Sequence, residues 1–219
     1  MRAVYLHGFA STPGASKARF FGDRFAAHGT ALECPDLNAP DFSTLTVTRM
    51  IGQVEALFDD GPPAPVVLVG SSLGAFVAWF VAARAREHQR RISHLVLLAP
   101  AIDFGVNAWN EVGAEALARW RATGWHPFMH YAYGERRQMH YGLYDDKQRY
   151  DAAAVEVTTP TLVCMGRRDE VVSPAVVSAF FDGRAHASLR WYDDGHQLLG
   201  HLDAMWHDTA AFLGLPASR

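Results

Sequence analysis

The chain has 219 residues, 49% hydrophobic and 20% charged, which is enough apolar material for one sizeable core in a single globular domain. A formal net charge of -3 gives no electrostatic reason to expect nucleic acid or an anionic membrane as a partner. Cys34 and Cys164, the only cysteines, supply neither a disulfide framework nor a metal-ligand spacing.

From the N-terminus, Ala3-Val4-Tyr5-Leu6 is a short apolar run that stops at His7-Gly8-Phe9, predicting a buried strand that enters a loop. This strand pattern begins almost at Met1, with no basic and apolar leader before it, so no export signal is expected. No apolar run approaches the roughly 18 residues that cross a bilayer. With no disulfide framework, these features predict a cytoplasmic protein with no stable membrane insertion.

Phe20, Phe21 and Phe25 recur at helical spacing before Gly29, a residue suited to a helix C-terminus. A second strand is predicted over 31–35. From Val47, the apolar residues Met50, Ile51, Val54, Leu57 and Phe58 form one helical face, which Gly61-Pro62-Pro63-Ala64-Pro65 ends. Val66 onward is a third strand, and Leu73 to Ala83 a helix apolar on nearly every side. Arg90-Arg91 reads as a solvated helix end, and His94 to Ala99 as a fourth strand.

Residues 101–157 carry no clear strand but many aromatic side chains, among them Phe104, Trp109, Trp120 and Tyr144. The stretch is too long for a plain loop. It is predicted to be a small, mostly helical lid or cap insertion over the carboxyl edge of the sheet, where open α/β folds bind ligands. The alternation then resumes. Pro160 to Met165 is strand-like, Val176 to Phe181 helical, Leu189 to Tyr192 a final strand, and Leu198 to Leu213 a closing helix. Strands alternating with helices predict a mostly parallel sheet of about six strands with right-handed crossovers, covered on both faces.

Within this frame, Val66 to Ala75 reads V-V-L-V-G-S-S-L-G-A, a strand, a sharp turn and a helix. G-x-S-x-G fits only with Ser72 at its centre, because Gly70 and Gly74 are the two glycines four apart. In such a nucleophile elbow the serine takes a strained backbone, and its flanking glycines let strand and helix approach closely. A serine hydroxyl is a weak nucleophile and needs an imidazole to take its proton. Two late segments supply the partners: Asp169 just past the strand ending at Met165, and His196 just past the strand ending at Tyr192. A parallel sheet brings all carboxyl ends to one edge, so Ser72, Asp169 and His196 are expected to converge as nucleophile, orienting acid and general base.

The motifs His7-Gly8-Phe9-Ala10-Ser11, Gly70-Ser71-Ser72-Leu73-Gly74, Gly166-Arg167-Arg168-Asp169 and Asp194-Gly195-His196 together resemble the α/β-hydrolase superfamily. Within it they are similar to the small bacterial YqiA-type esterases, over nearly the whole chain. The resemblance implies an α/β-hydrolase fold and a serine-dependent hydrolase of carboxylic esters or thioesters. It also implies a sheet order that reverses near the elbow. The chain departs from the superfamily pattern by lacking two N-terminal strands that often precede the His-Gly loop, which shortens the sheet without touching the site. One oxyanion donor is expected to be the N–H of Leu73, directly after the nucleophile. By resemblance to His-Gly-x loops the other is assigned to the N–H of Phe9, with His7 bracing the loop.

Asp103, shortly after the fourth strand, is a second possible acid, since some hydrolases carry it there; a loop or N-cap role is the simpler account. Glu170, Asp193 and Asp194 are expected to cap helices or face water. His126 and His130 are four apart, but Pro127 between them and the absence of a carboxylate motif argue against a metal site. No cofactor is expected. The substrate is predicted to be a small-molecule acyl ester or thioester, its acyl group in an apolar pocket beneath the insertion. A noncatalytic binding protein of the same fold, an acyltransferase and a carbon–carbon bond hydrolase remain alternatives, because fold and triad do not fix the bond broken.

Overall fold

A computed structural model describes residues 1–58, 65–87, 92–107 and 112–216. The predicted helix stop at residues 61–64, the Arg90-Arg91 pair and Trp109 lie outside the described residues. Strands β1 (Arg2–Leu6), β2 (Leu32–Glu33), β3 (Val66–Ser71) and β4 (Ile92–Leu98) alternate with helices α1 (Ser16–Ala27), α2 (Val47–Ala56) and α3 (Leu73–Glu87). Helices α4 (Phe104–Asn107) and α5 (Ala114–Thr123), strands β5 (Trp125–His130) and β6 (Glu135–His140), and helix α6 (Gly142–Lys147) follow. Strand β7 (Thr161–Gly166), helix α7 (Pro174–Phe181), strand β8 (Ala187–Tyr192) and helix α8 (Leu202–Phe212) complete the order.

The main sheet has six strands in the order β2-β1-β3-β4-β7-β8, every pair parallel. The chain leaves β1 for one edge and returns to its other side with β3, so the order reverses between these strands, where open α/β sheets leave a crevice. β3 is buried along its whole length, as expected of a strand covered on both faces. α3 is covered on every side: Leu73 and Ala75 through Ala82 are all buried. Removing a ring such as Phe76 from this helix would cost about 3–5 kcal/mol.

Local signals account for the helix ends. Thr46 caps α2, accepting the Arg49 N–H at 3.1 Å, and Val47, Met50, Ile51 and Val54 form the buried face the periodicity predicts. α1 ends at Gly29, whose φ of 71° only glycine adopts at little cost. The second strand is shorter than predicted: only Leu32 and Glu33 pair with β1. It lies at the sheet edge, and Pro35 lacks the N–H needed to extend the ladder. The closing helix starts later than predicted, at Leu202. Before it, Leu198 turns into a left-handed conformation with φ 55° and Leu199–His201 form a single 3-10 turn.

Between β4 and β7 the chain forms helices and also an antiparallel hairpin, β5 and β6, in register from Trp125↔His140 to His130↔Glu135. Among the described residues, this hairpin departs from the expected mostly helical segment. Pro127 is tolerated because the ribbon has two free edges. Trp120 is the centre of this region: fully buried, it packs on Phe128, Tyr141 and Tyr144 and donates Nε1–H to the Met139 carbonyl at 2.9 Å. The hairpin lies over the carboxyl edge of the main sheet, with Phe128 edge-on to Phe9 at 5.5 Å between centroids. Asp146 of α6 ties the region to α2 by accepting from the N–H and hydroxyl of Thr48, at 2.8 and 2.6 Å. Among the described residues, no helix is long and apolar enough to cross a membrane.

Candidate active site

Ser72 sits between the last residue of β3 and the first of α3, with φ 53°. Both flanking glycines are sterically required. A Cβ on Gly70 would meet Ala75 Cα at 2.5 Å, and one on Gly74 would meet the Leu6 carbonyl oxygen at 2.1 Å. The turn is held from outside as well, since Ser72 N–H donates to the Leu98 carbonyl of β4 at 2.9 Å. The strained serine is thus fixed by its neighbours on both sides of the sheet edge.

The side chain of Ser72 meets His196, with Oγ 3.1 Å from Nε2. Across the ring, Nδ1 lies 2.8 Å from Asp169 Oδ2 and 3.1 Å from Oδ1. Both His196 and Asp169 are buried. Asp169 is oriented by its own loop, Oδ1 accepting the N–H groups of Val171 and Val172 at 2.9 and 2.8 Å. Nδ1–H faces the carboxylate, which leaves Nε2 free to accept from the serine hydroxyl. Such a line can withdraw a proton from Ser72 and stabilise the imidazolium that results.

The loop that carries His196 is organised by Asp194. Its carboxylate accepts from Gly195 N–H at 2.8 Å and Gly200 N–H at 2.9 Å, and contacts His201 Nδ1 at 3.1 Å. Gly166 lets this loop close, because a Cβ there would lie 2.6 Å from the carbonyls of Asp194 and Gly195. Asp193 pairs instead with Arg168 at the surface, and Glu170 is exposed. Asp103 does not reach His196: the only carboxylate on that ring among the described residues is Asp169.

The loop after β1 passes close against Ser72: a Cβ on Gly8 would lie 3.2 Å from the Ser71 carbonyl oxygen and 3.3 Å from Ser72 Cβ, tighter than most side-chain contacts. His7, almost fully buried, braces it: Nδ1 contacts the Gly8 carbonyl at 3.0 Å, and Nε2 accepts the Leu37 N–H at 3.0 Å. Burial holds the His7 pKa below the ordinary histidine value, although Asp36 pulls the other way. The ring is therefore neutral and structural at pH 7. Phe9, next in the loop, is wedged between Phe42 at 5.4 Å and Phe128 at 5.5 Å. Leu73 is the first residue of α3, so its N–H has no partner within the helix.

Ser72 and His196 open on a cavity of about 620 Å³. Its wall combines Phe9, Phe128, Met129, Tyr131, Val171 and Leu199 with the start of α1, including Ser16, Lys17 and Arg19. Lys17 was not legible as a site residue, and the one sequence signal for it is a cation in the first turn of a helix, where the dipole disfavours it. His126 and His130 lie on the hairpin in aromatic surroundings, His130 stacked on Tyr133 at 4.3 Å. Among the described residues no cluster of histidine, cysteine and acidic side chains has the composition to hold a metal.

Solved structures share this architecture. A protein from Agrobacterium vitis S4 superposes with a TM-score of 0.85 at 21% identity, over 96% of this chain and 87% of that one. Mouse alpha/beta hydrolase domain-containing protein 10 gives 0.79 at 19% identity, over 97% and 89%. Est1E from Butyrivibrio proteoclasticus, solved with ferulic acid bound, gives 0.80 at 18% identity, over 96% and 87%. These likenesses establish the α/β-hydrolase fold. No curated protein sequence matches the chain. Residues 2–213, from the start of β1 to beyond α8, match the model of the Uncharacterised protein family (UPF0227), and the chain belongs to that family.

Proposed function

We propose that this protein is a serine hydrolase that cleaves carboxylic esters or thioesters through an acyl-enzyme, without a cofactor. Ser72 is the nucleophile, His196 the general base and then general acid, and Asp169 the group that orients the ring. The observation that carries this reading is the continuous line from Ser72 Oγ to His196 Nε2 at 3.1 Å and from Nδ1 to Asp169 Oδ2 at 2.8 Å.

Ser72 Oγ attacks the acyl carbonyl carbon while its proton passes to Nε2. The carbonyl oxygen becomes an oxyanion, held by the N–H groups of Leu73 and Phe9, each such donor contributing about 3 kcal/mol. Collapse breaks the bond to the alcohol or thiol, which leaves with the proton from Nε2. Water then gives a proton to His196 as its oxygen attacks the acyl-enzyme, and the second collapse releases the carboxylic acid and returns the proton to Ser72 Oγ. Apolar side chains on the cavity wall suit an acyl group. Ferulic acid, held by Est1E, is a carboxylic acid of the class that ester cleavage releases.

In this reading residues 101–157 are a cap on a single α/β-hydrolase domain, covering the acyl group and excluding water. The unpaired thiols of Cys34 and Cys164 fit a cytoplasmic protein. The test is fluorophosphonate labelling together with turnover of 4-nitrophenyl esters from acetyl to palmitoyl, for the wild type and Ser72→Ala. Labelling at Ser72 and turnover lost in Ser72→Ala are expected. A folded wild type that neither labels nor turns over would overturn the reading in favour of a binding protein.

A further inference from the structure

Lys17 has no evident structural role. It is the second residue of α1 and 8% exposed, among the most buried charged side chains in the molecule. Among the described residues no hydrogen bond or ion pair reaches its ammonium. Asp169 and Asp194 influence it through charge alone, their carboxylates being committed to the bonds described above. The stem of Lys17 is covered while its ammonium, without a bonded protein partner, keeps its access on the cavity side, and a cation so far desolvated is best compensated by an anion placed there.

The surroundings say what that something is. Lys17 lines the same cavity as Ser72 and His196. Beside it, α1 begins without a side-chain cap at Ala15, and its first backward hydrogen bond runs from Arg19 N–H to the Ala15 carbonyl at 3.0 Å. The N–H groups of Ser16, Lys17 and Ala18 therefore lack intrahelical acceptors, the Ala15 N–H being taken by the Thr12 carbonyl at 3.1 Å, and Ser16 lines the cavity with Lys17. Arg19 adds a second cation, whereas among the described residues no aspartate or glutamate lines the cavity. A cation on a largely covered stem facing the cavity, an uncapped helix start and a described wall free of acidic groups are jointly complementary to an anionic oxygen group.

We propose that Lys17 and the N-terminus of α1 bind an acid group, carboxylate or phosphate, carried by the substrate at a distance from the acyl carbon that Ser72 attacks. This rests on the serine-hydrolase reading above. The substrate class becomes an acidic ester or thioester, and Lys17 is a specificity-determining residue.

The test compares 4-nitrophenyl hemiglutarate with 4-nitrophenyl valerate, esters of equal acyl length with and without a terminal carboxylate. It uses wild type, Lys17→Met, which keeps the aliphatic stem, and Lys17→Arg. The ratio of kcat/KM for the acidic ester to that for the neutral one should fall about tenfold or more in Lys17→Met. It should recover in Lys17→Arg. A ratio unchanged in Lys17→Met overturns the proposal, as does an equal fall in both variants, which would mark Lys17 as structural. If the wild type hydrolyses neither ester, fluorophosphonate labelling and the acetyl-to-palmitoyl series decide whether the hydrolase reading fails, and the anion site is judged independently by calorimetric titration with glutarate and inorganic phosphate. Binding by wild type that Lys17→Met loses supports the site, and the tighter of the two ligands identifies carboxylate or phosphate. No binding, or equal binding to both proteins, overturns it.

Discussion

Asp169 grips the ring of His196 with both carboxylate oxygens, at 2.8 and 3.1 Å from Nδ1, while its Oδ1 is held by two backbone N–H groups of its own loop. An amide at this position can keep the shape but must present an N–H or a neutral oxygen to Nδ1. Asp169→Asn is therefore expected to lower kcat about ten-thousandfold with the fold intact. Asp103→Asn should retain most activity, because Asp103 makes no contact with His196. Steady-state kinetics on both variants decide the matter, and the opposite ranking would move the acid to Asp103.

The closest approach in the elbow is between Gly74 and the end of β1. A methyl group on Gly74 would lie 2.1 Å from the Leu6 carbonyl oxygen, and backbone cannot swing aside as a side chain can. Gly74→Ala should destabilise the protein by about 3 kcal/mol or more. Denaturant unfolding would read this directly. Near-wild-type stability would mean that strand and helix are not so closely packed.

His7 offers a test of the loop rather than of the chemistry. Its ring accepts the Leu37 N–H at 3.0 Å and contacts the Gly8 carbonyl, so His7→Ala leaves the neighbour of Phe9 without support. A fall of about a hundredfold in kcat is expected, the usual consequence of a donor displaced by about 1 Å. Fluorophosphonate labelling at Ser72 should slow in parallel. The pH dependence of stability follows from the lowered pKa of His7. On acidification the unfolded chain takes up this proton first. Stability from His7 is present above the ordinary histidine pKa and is lost as pH falls from there through the lowered value. His7→Ala should flatten that part of the profile.

Lys17 should reveal itself in stability with the opposite consequence of mutation. Burial brings its pKa down to about 8, against the charges of Asp169 and Asp194, which raise it. Between about 8 and the ordinary lysine value the unfolded chain binds more protons than the folded one. Stability should therefore rise with pH through that window. Lys17→Met should be more stable than wild type by about 2 kcal/mol at neutral pH, with a flatter profile. The preference for an acidic ester should fade as pH rises past about 8. Tyr5, Arg19 and His196 share the cavity with Lys17, and Lys17→Arg separates their titration from its own because a guanidinium stays charged.

The elbow was legible in the sequence because its requirement is local. Two glycines flanking a serine at a strand-to-helix turn describe a backbone that few other sequences fit. The meeting of Ser72 with His196 needed one further step, that strands in parallel end on one edge. The hairpin was not legible for a physical reason. In β6 only Met139 is buried, so Glu135–His140 carries no apolar alternation, and its partner strand contains a proline. The choice between Asp169 and Asp103 turns on which loop leans towards the histidine, a tertiary matter. The burial of Lys17 is likewise invisible in sequence, because its cover comes from segments far along the chain.

The ring of Phe9 is clasped by Phe42 on one side and Phe128 of the hairpin on the other. The same residue is the proposed second donor to the oxyanion, so one anchor serves both the roof of the cavity and the electrostatics of the reaction. Lifting the hairpin to admit a substrate would unclasp Phe9 and leave the donor unregistered. Returning it would bring the donor back. On the proposed mechanism, acyl transfer would then be coupled to a closed roof, because the oxyanion is fully held only while Phe9 is clasped.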